Sequence, residues 1–252
     1  MSKPDTTPLF ATFRFYEELN DFLSEEKRKQ DVMYGFSGKP SIKDAIEAQG
    51  IPHTEVDLIV ANGASVGFDY SLKDDDRIAV YPMFEGLDIS PIVKLREKPL
   101  REPKFVLDVH LGKLARLMRL LGLDVLYRND YDDKLLACIS ATQHRALLTR
   151  DRKLLHYRMI THGCLLRSMN ADEQLSQVIR RFDLKENLSP FSRCLECNGP
   201  LESAEKDKIL DRLEPKTIRY YDTFFQCAQC RKIYWKGSHF GRLAAVVEEV
   251  RS

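Results

Sequence analysis

Two cysteine pairs constrain the fold of this 252-residue chain more than any other feature of its sequence. One CxxC motif spans Cys194 and Cys197, a second spans Cys227 and Cys230, and 29 residues separate the two. In each motif a tight turn lets both thiolates face one ion, and two such turns complete a tetrahedral Zn²⁺ shell. Because four thiolates leave no coordination position open, the zinc is expected to be structural. Residues 188–240 are therefore predicted to form a small zinc ribbon.

The composition predicts a globular protein of the cytoplasm. Apolar residues make up 43% of the chain and charged residues 31%, as is usual for soluble globular proteins. No stretch approaches about 18 consecutive apolar residues, which excludes a membrane-spanning helix. The first ten residues, MSKPDTTPLF, lack the layout of a signal peptide. A reducing cytosol also disfavours the alternative in which the two CxxC motifs form disulfides.

The net charge of +1 is the sum of two regions of opposite sign. Residues 1–98 contain 12 basic and 18 acidic residues, a net charge of −6. Residues 99–252 contain 27 basic and 20 acidic residues, a net charge of +7. The near-neutral total therefore does not exclude a nucleic-acid partner for the C-terminal part. Between the two parts, residues 86–103 contain three prolines and a cluster of charges, which is typical of a linker.

Residues 9–86 show the pattern of a small mixed domain. Alternation at Phe13 and Phe15 predicts a first strand, and a second strand pattern follows. Ser41 is suited to cap an amphipathic helix that ends near Gly50, and further strand patterns come after it. The order strand, strand, helix, strands is that of a β-grasp fold.

One segment of this domain resembles a known class of proteins. FDYSLKDDDRIAVYP is similar to the closing segment of ubiquitin-like proteins, especially bacterial sulfur carriers. Those carriers end in a free Gly-Gly tail, whereas this chain continues as FEGLDIS with only Gly86. The resemblance therefore implies a ubiquitin-like module that binds a protein partner or acts as a scaffold.

Residues 104–187 alternate strand and helix patterns, which predicts a parallel sheet with crossover helices. Asp108 ends the first strand and Asp151 the third, while Asp132 and Asp133 follow the second strand and open a helix. Ligands bind such sheets at the carboxyl ends of the strands, so these carboxylates are expected to converge there. Clustered carboxylates suit Mg²⁺ or Mn²⁺, and such a site suits metal-assisted hydrolysis of phosphodiesters. Taken singly, Asp132 and Asp133 also suit a helix cap, and Asp151 also suits the start of a helix.

Three strings in this region carry a more specific resemblance. FVLDVHLGKLARLMRLLGLDVLY, DYDDKLLACI and ALLTRDRKLL, followed by the two CxxC motifs, are similar to the PIN-like ribonuclease family called the Mut-seven C-terminal domain. The resemblance implies a PIN-like α/β/α domain with metal-dependent ribonuclease activity, an N-terminal ubiquitin-like domain and a zinc ribbon. By motif, Asp108 matches the first-strand acid, and Asp151 matches the third-strand acid with Thr149 beside it. The middle acid matches Asp132 or Asp133.

Basic residues near these acids are candidates for contact with the RNA backbone. Lys113, Arg116 and Arg119 lie on the polar arc of the first helix in this region. Arg150 and Arg152 flank the third-strand acid. Each group forms either a solvated cationic face or a set of phosphate contacts.

Two functions from different classes fit these patterns. The first is a metal-dependent ribonuclease whose substrate is RNA. The second is a non-catalytic RNA- or ribosome-binding adaptor that uses the zinc ribbon and the basic faces. In the ribbon, basic and aromatic residues alternate, and the aromatic rings can stack on single-stranded bases. Within the ribbon, the segment EPKTIRYYDTFFQ predicts a strand.

Overall fold

The computed structural model describes residues 8–82, 103–238 and 240–251, which form two compact units. The first unit combines residues 8–82 with Asp151–Leu165, and the second contains residues 103–150 and the chain from Leu166 onward. Gly86 and all of the predicted linker except Pro103 lie outside the described residues. Among the described helices, none has both the length and the apolar character needed to cross a membrane.

The described residues of the first unit form a five-stranded mixed sheet and one α-helix in the ubiquitin-like β-grasp arrangement predicted from the sequence. Its elements are β1 (Leu9–Phe15), β2 (Asp31–Phe36), α1 (Ile42–Ala48), β3 (Val56–Ala61), β4 (Ala64–Val66) and β5 (Asp76–Pro82). The strand order is β2-β1-β5-β3-β4. β1 and β5 are parallel, and the other neighbouring strands are antiparallel.

Alternation along β1 determines which side of the sheet is buried. Phe13 and Phe15 are at most 1% exposed and pack with Ile46 of α1 in one apolar core. Burying each ring contributes about 1.5–3 kcal/mol. α1 begins after Ser41, whose hydroxyl accepts the Asp44 N–H at 3.1 Å and donates to the Asp44 carboxylate at 2.7 Å. The predicted cap is therefore confirmed.

The second unit begins with alternating strands and helices and contains the predicted parallel sheet. These elements are β6 (Lys104–Leu107), α2 (Gly112–Leu120), β7 (Val125–Leu126), α3 (Asp133–Gln143) and β8 (Arg145–Thr149). β6 lies between β7 and β8 and is parallel to both. β8 is buried along its whole length, as is usual for a strand of a parallel sheet. Leu107 pairs with Leu148, so β6 and β8 end side by side.

After β8 the chain contributes a short segment to the first unit before it returns to the second. This segment contains a helical turn at Leu154–His156 and the strand β9 (Gly163–Leu165). Leu154, Leu155 and Ile160 are at most 1% exposed, so the segment has its own buried apolar face. The chain then forms α4 (Ala171–Arg181) in the second unit.

The C-terminal part of the second unit is an antiparallel ribbon. Its elements are β10 (Leu201–Ala204), α5 (Pro215–Tyr220), β11 (Phe224–Cys227), β12 (Ile233–Trp235) and α6 (Phe240–Arg251). The strand order is β10-β11-β12. The strand predicted over EPKTIRYYDTFFQ is wrong in its first half, which is α5. Pro215 occupies the first turn of this helix, where its fixed φ angle and missing N–H are both favourable.

Candidate active site and metal centre

Four cysteine thiols of the second unit form a cluster that could hold a metal ion. The Sγ atoms of Cys194 and Cys230 are 3.6 Å apart, those of Cys197 and Cys227 are 3.4 Å apart, and all four lie within 4.8 Å of one another. All four are free cysteines, so the disulfide alternative is not formed. Zn–S bonds of about 2.3 Å in a tetrahedron place the sulfurs roughly 3.8 Å apart. The donor set and its spacing therefore fit one Zn²⁺.

The two CxxC motifs adopt the same turn. The N–H of Asn198 donates to the carbonyl of Cys194, and the N–H of Arg231 donates to the carbonyl of Cys227, each at 3.0 Å. Asn198 and Arg231 both have left-handed backbone conformations, with φ of 71° and 63°. This repeated turn is the local reason that both thiolates of each motif face one point.

A tyrosine supports the first thiolate of the centre. The Tyr234 hydroxyl lies 3.1 Å from the Sγ of Cys194 and accepts the Leu195 N–H at 3.1 Å. Burial raises the pKa of Cys194, but hydrogen bonds from Tyr234 and from the N–H groups of Cys197 and Glu196 outweigh it and lower that pKa to about 6. Burial also raises the pKa of Tyr234, so its hydroxyl keeps the proton. The thiolate is the form that binds metal, and this environment favours it.

Arg119 of α2 attaches the first CxxC motif to the parallel sheet. It was predicted on an exposed cationic arc, and that prediction is wrong because Arg119 is only 3% exposed. Its Nε and Nη2 donate to the Val125 carbonyl at 3.0 and 2.9 Å. Its Nη1 donates to the carbonyls of Leu195 and Glu196 at 3.1 and 2.8 Å. Burial lowers the pKa of Arg119, a cost that four hydrogen bonds from the guanidinium offset.

A second buried polar network joins the same motif to the sheet. The Asn198 side chain accepts the Val125 N–H at 2.9 Å and donates to Asp124 at 2.8 Å. Arg145 at the start of β8 donates to the same Asp124 oxygen at 2.7 Å. Burial raises the pKa of Asp124, but these hydrogen bonds lower it more, so its net shift is downward. No sequence motif indicates this network, because its members are up to 74 residues apart.

Asp108 is the buried acid of the predicted catalytic set. It follows β6 directly and is 6% exposed. Its Oδ2 accepts a hydrogen bond from the hydroxyl of Thr149, the last residue of β8, at 2.7 Å. The parallel pairing of β6 and β8 thus brings together Asp108 and the threonine of the T-x-D motif.

The two candidates for the middle acid lie at the start of α3. Asp132 is the N-cap residue, and its Oδ1 accepts the Leu135 N–H at 2.7 Å. Asp133 is the first residue of the helix, and both acids are exposed. Asp132 therefore caps α3, as one of the two interpretations predicted. A cap uses one carboxylate oxygen and is compatible with a metal contact through the other.

Asp151 follows β8 by two residues and is exposed. Its Oδ1 accepts the Lys153 N–H at 2.8 Å, which closes a turn at the start of the segment Asp151–Leu165. Arg152 places its guanidinium 4.9 Å from the centre of the Phe22 ring and donates to the Phe22 carbonyl at 3.3 Å. Its contact with RNA stays a prediction.

The remaining basic candidates are exposed. Lys113 and Arg116 lie on the solvent side of α2, and Arg150 follows β8. An Nη of Arg116 lies 3.5 Å from the Glu196 carboxylate. Lys113 and Arg150 therefore remain the more accessible cations for a phosphate.

The structure groups the cysteines but not the aspartates. Within residues 8–82, 103–238 and 240–251, the four cysteines are the only set of three or more His, Cys, Asp or Glu side chains with ligand atoms within 4.8 Å of one another. Asp108, Asp132 and Asp151 do not form such a set. Their role as Mg²⁺ or Mn²⁺ ligands stays a prediction from their positions after the strands and from the family motif.

The architecture defines a protein with a ubiquitin-like domain, a parallel α/β domain and a four-cysteine ribbon. A model of the family described as Mut7-C RNAse domain matches residues 103–247, and one described as Mut7-C ubiquitin matches residues 9–88. The chain therefore belongs to the Mut7-C RNAse family, as its motifs predicted. Comparison with curated proteins and with solved structures found no match. Membership supports a ribonuclease-like hydrolase, implies RNA as its substrate and indicates a protein-binding role for the ubiquitin-like domain.

Proposed function

We propose that the chain is a metal-dependent ribonuclease in which Asp108, Asp132 and Asp151 hold Mg²⁺ or Mn²⁺. The observation that most supports this function is the position of Asp108, a buried carboxylate at a strand end of a Mut7-C RNAse domain. Thr149 donates to its Oδ2 at 2.7 Å. A buried carboxylate is costly unless a cation pairs with it, and a divalent ion satisfies that need. The ribbon in this proposal binds a structural Zn²⁺.

Each residue of the proposed site has a separate role in phosphodiester hydrolysis. Asp108, Asp132 and Asp151 would hold the divalent ion, which would supply water activation and charge stabilisation for phosphodiester hydrolysis. The hydroxyl of Thr149 fixes the orientation of the Asp108 carboxylate, and Asp132 or Asp133 supplies the middle acid. Lys113 and Arg150 contact the RNA backbone and thereby hold the phosphodiester in place. Because no protein nucleophile is required, no covalent intermediate forms.

The cap at Asp132 allows stability and catalysis to be separated. Asn caps a helix as well as Asp does, so Asp132→Asn should keep the hydrogen bond from the Leu135 N–H. Its free energy of unfolding should lie within about 0.5 kcal/mol of the wild-type value. Loss of the charge should still lower metal-dependent RNA cleavage by at least about 10-fold. Thermal unfolding and a cleavage assay on the same preparations measure both effects. Asp133→Asn is the matched control, and a larger loss of cleavage in that variant assigns the middle acid to Asp133 instead.

Metal-dependent cleavage of RNA distinguishes the ribonuclease hypothesis from the adaptor hypothesis. Purified protein should cleave an unstructured RNA when Mn²⁺ is added, and EDTA should stop the reaction. Gel analysis of a labelled RNA measures cleavage, and fluorescence anisotropy of the same RNA without added Mn²⁺ or Mg²⁺ measures binding. Binding without cleavage at any Mn²⁺ or Mg²⁺ concentration would favour the adaptor and contradict the proposed function.

A further inference from the structure

The segment Asp151–Leu165 is held by a buried histidine of the ubiquitin-like domain. His53 is 5% exposed, and its Nδ1 lies 2.6 Å from a carboxylate oxygen of Glu47 at the end of α1. Its Nε2 lies 2.8 Å from the carbonyl oxygen of Ile160 in the segment. Both ring nitrogens thus face oxygen acceptors, and the ring donates through each nitrogen that carries a proton. His53 thus connects α1 to the middle of the segment.

Two further contacts hold the segment at its ends. Glu55 is 5% exposed, and its Oε1 accepts the N–H of Leu165, the last residue of the segment, at 2.7 Å. Near the first residue, Arg152 stacks over Phe22 and donates to its carbonyl. The β-grasp domain therefore contacts the segment at its start, middle and end.

The charges around His53 favour this arrangement. Burial raises the pKa of Glu47, but the hydrogen bond and charge of His53, with smaller contributions from Lys43 and His156, lower it more. His156 of the segment lies 3.9 Å from the same carboxylate. The ring of Phe68 packs against His53 edge-on, with ring centres 5.8 Å apart. The contact to Ile160 is thus part of a charged, largely buried group, in which hydrogen bonds are stronger than in water.

Chain continuity links this group to the proposed metal site. The segment begins at Asp151, two residues after Thr149. It ends before Leu166, whose N–H donates to the Thr149 carbonyl at 2.8 Å. The conformation of the 15 residues between Arg150 and Leu166 therefore determines how the Asp151 backbone leaves β8.

We propose that the ubiquitin-like domain positions part of the nuclease site of its own chain, because His53 and Glu55 hold the segment that carries Asp151. The inference rests on the proposed function, since it takes Asp151 as a metal ligand. His53 and Glu55 are positioning residues, and neither touches the ion or the RNA. The ubiquitin-like domain then has a role within the chain in addition to any protein that it binds.

The test uses paired substitutions in the full-length protein. Glu55→Ala removes the acceptor for the Leu165 N–H, whereas Glu55→Gln retains an oxygen at that place and is the conservative rescue. Hydrogen exchange of the peptide that covers residues 152–165 should be about 10- to 100-fold faster in Glu55→Ala, because a buried hydrogen bond to a charged group is lost. His53→Gln retains an amide NH₂ that can donate to one of the two oxygens and should give a smaller increase, so the test does not depend on one variant.

Two readouts separate positioning from simple destabilisation. Glu55→Ala should weaken Mn²⁺ binding, measured by the EPR signal of free Mn²⁺, and should lower kcat about 10-fold with little change in KM for RNA. Glu55→Gln should restore both. The proposal is overturned if exchange of the segment does not change, or if exchange increases while Mn²⁺ affinity and kcat stay at wild-type values. If wild-type protein does not cleave RNA, the proposed function fails, and exchange together with Mn²⁺ affinity still decides the positioning role.

Discussion

Asp108→Asn is expected to fold as wild type does and to lose RNA cleavage by at least about 100-fold. Changes to groups that only support a metal ligand cost about 10- to 100-fold, so removing the charge of a ligand should cost more. Asparagine has nearly the shape of aspartate, and its amide oxygen can still accept the hydrogen bond from Thr149. Because a buried neutral side chain costs less than a buried charge, the free energy of unfolding should stay equal or rise.

The measurement compares cleavage and stability in one set of preparations. RNA cleavage in Mn²⁺ is followed for wild type and Asp108→Asn, and unfolding is followed with denaturant. Asp207→Asn is the matched control, since it makes the same chemical change at an exposed position of the ribbon and should keep full activity. Equal cleavage by wild type and Asp108→Asn contradicts the nuclease assignment and points to a contaminating ribonuclease.

Features encoded in short stretches of sequence were predicted correctly. The two CxxC motifs each specify their own turn, so the four-cysteine centre follows from spacing alone. Ser41 caps α1 through a residue only three positions away. The alternation of strands and helices after residue 103 required a parallel sheet, because parallel neighbours need a crossover connection.

Features that depend on distant partners were not predicted. Arg119 occupies a polar arc of α2 by periodicity, but the carbonyls that bury it belong to Leu195 and Glu196, 76 and 77 residues further along the chain. Likewise, Arg152 was interpreted as an RNA contact because it adjoins Asp151. Its guanidinium contacts Phe22, 130 residues away. Helical periodicity and motif adjacency describe only near neighbours in sequence, so neither reveals such contacts.

Arg119→Met is expected to lower the free energy of unfolding of the second unit by about 3–5 kcal/mol, because each carbonyl left without its donor costs about 1–3 kcal/mol. Methionine fills part of the volume but leaves the carbonyls of Val125, Leu195 and Glu196 without these donors. At about 2–4 °C for each kcal/mol, Tm should fall by roughly 10 °C. Arg116→Met on the same helix is the control. Its ion pair with Glu196 is exposed and should contribute at most about 1 kcal/mol.

Removing the metal tests whether Arg119 couples the stability of the ribbon to that of the parallel sheet. Leu195 and Glu196 lie inside the motif that zinc would fix, so zinc in the ribbon should stabilise the parallel sheet through the Arg119 guanidinium. A strong chelator should therefore lower Tm more in wild type and in Arg116→Met than in Arg119→Met. The effects of chelation and of Arg119→Met on the free energy of unfolding should therefore deviate from additivity by more than about 0.5 kcal/mol, the usual limit for independent sites. If the chelator lowers Tm equally in all three proteins, ribbon and sheet are energetically independent, and the buried arginine stabilises the sheet without coupling it to the metal centre.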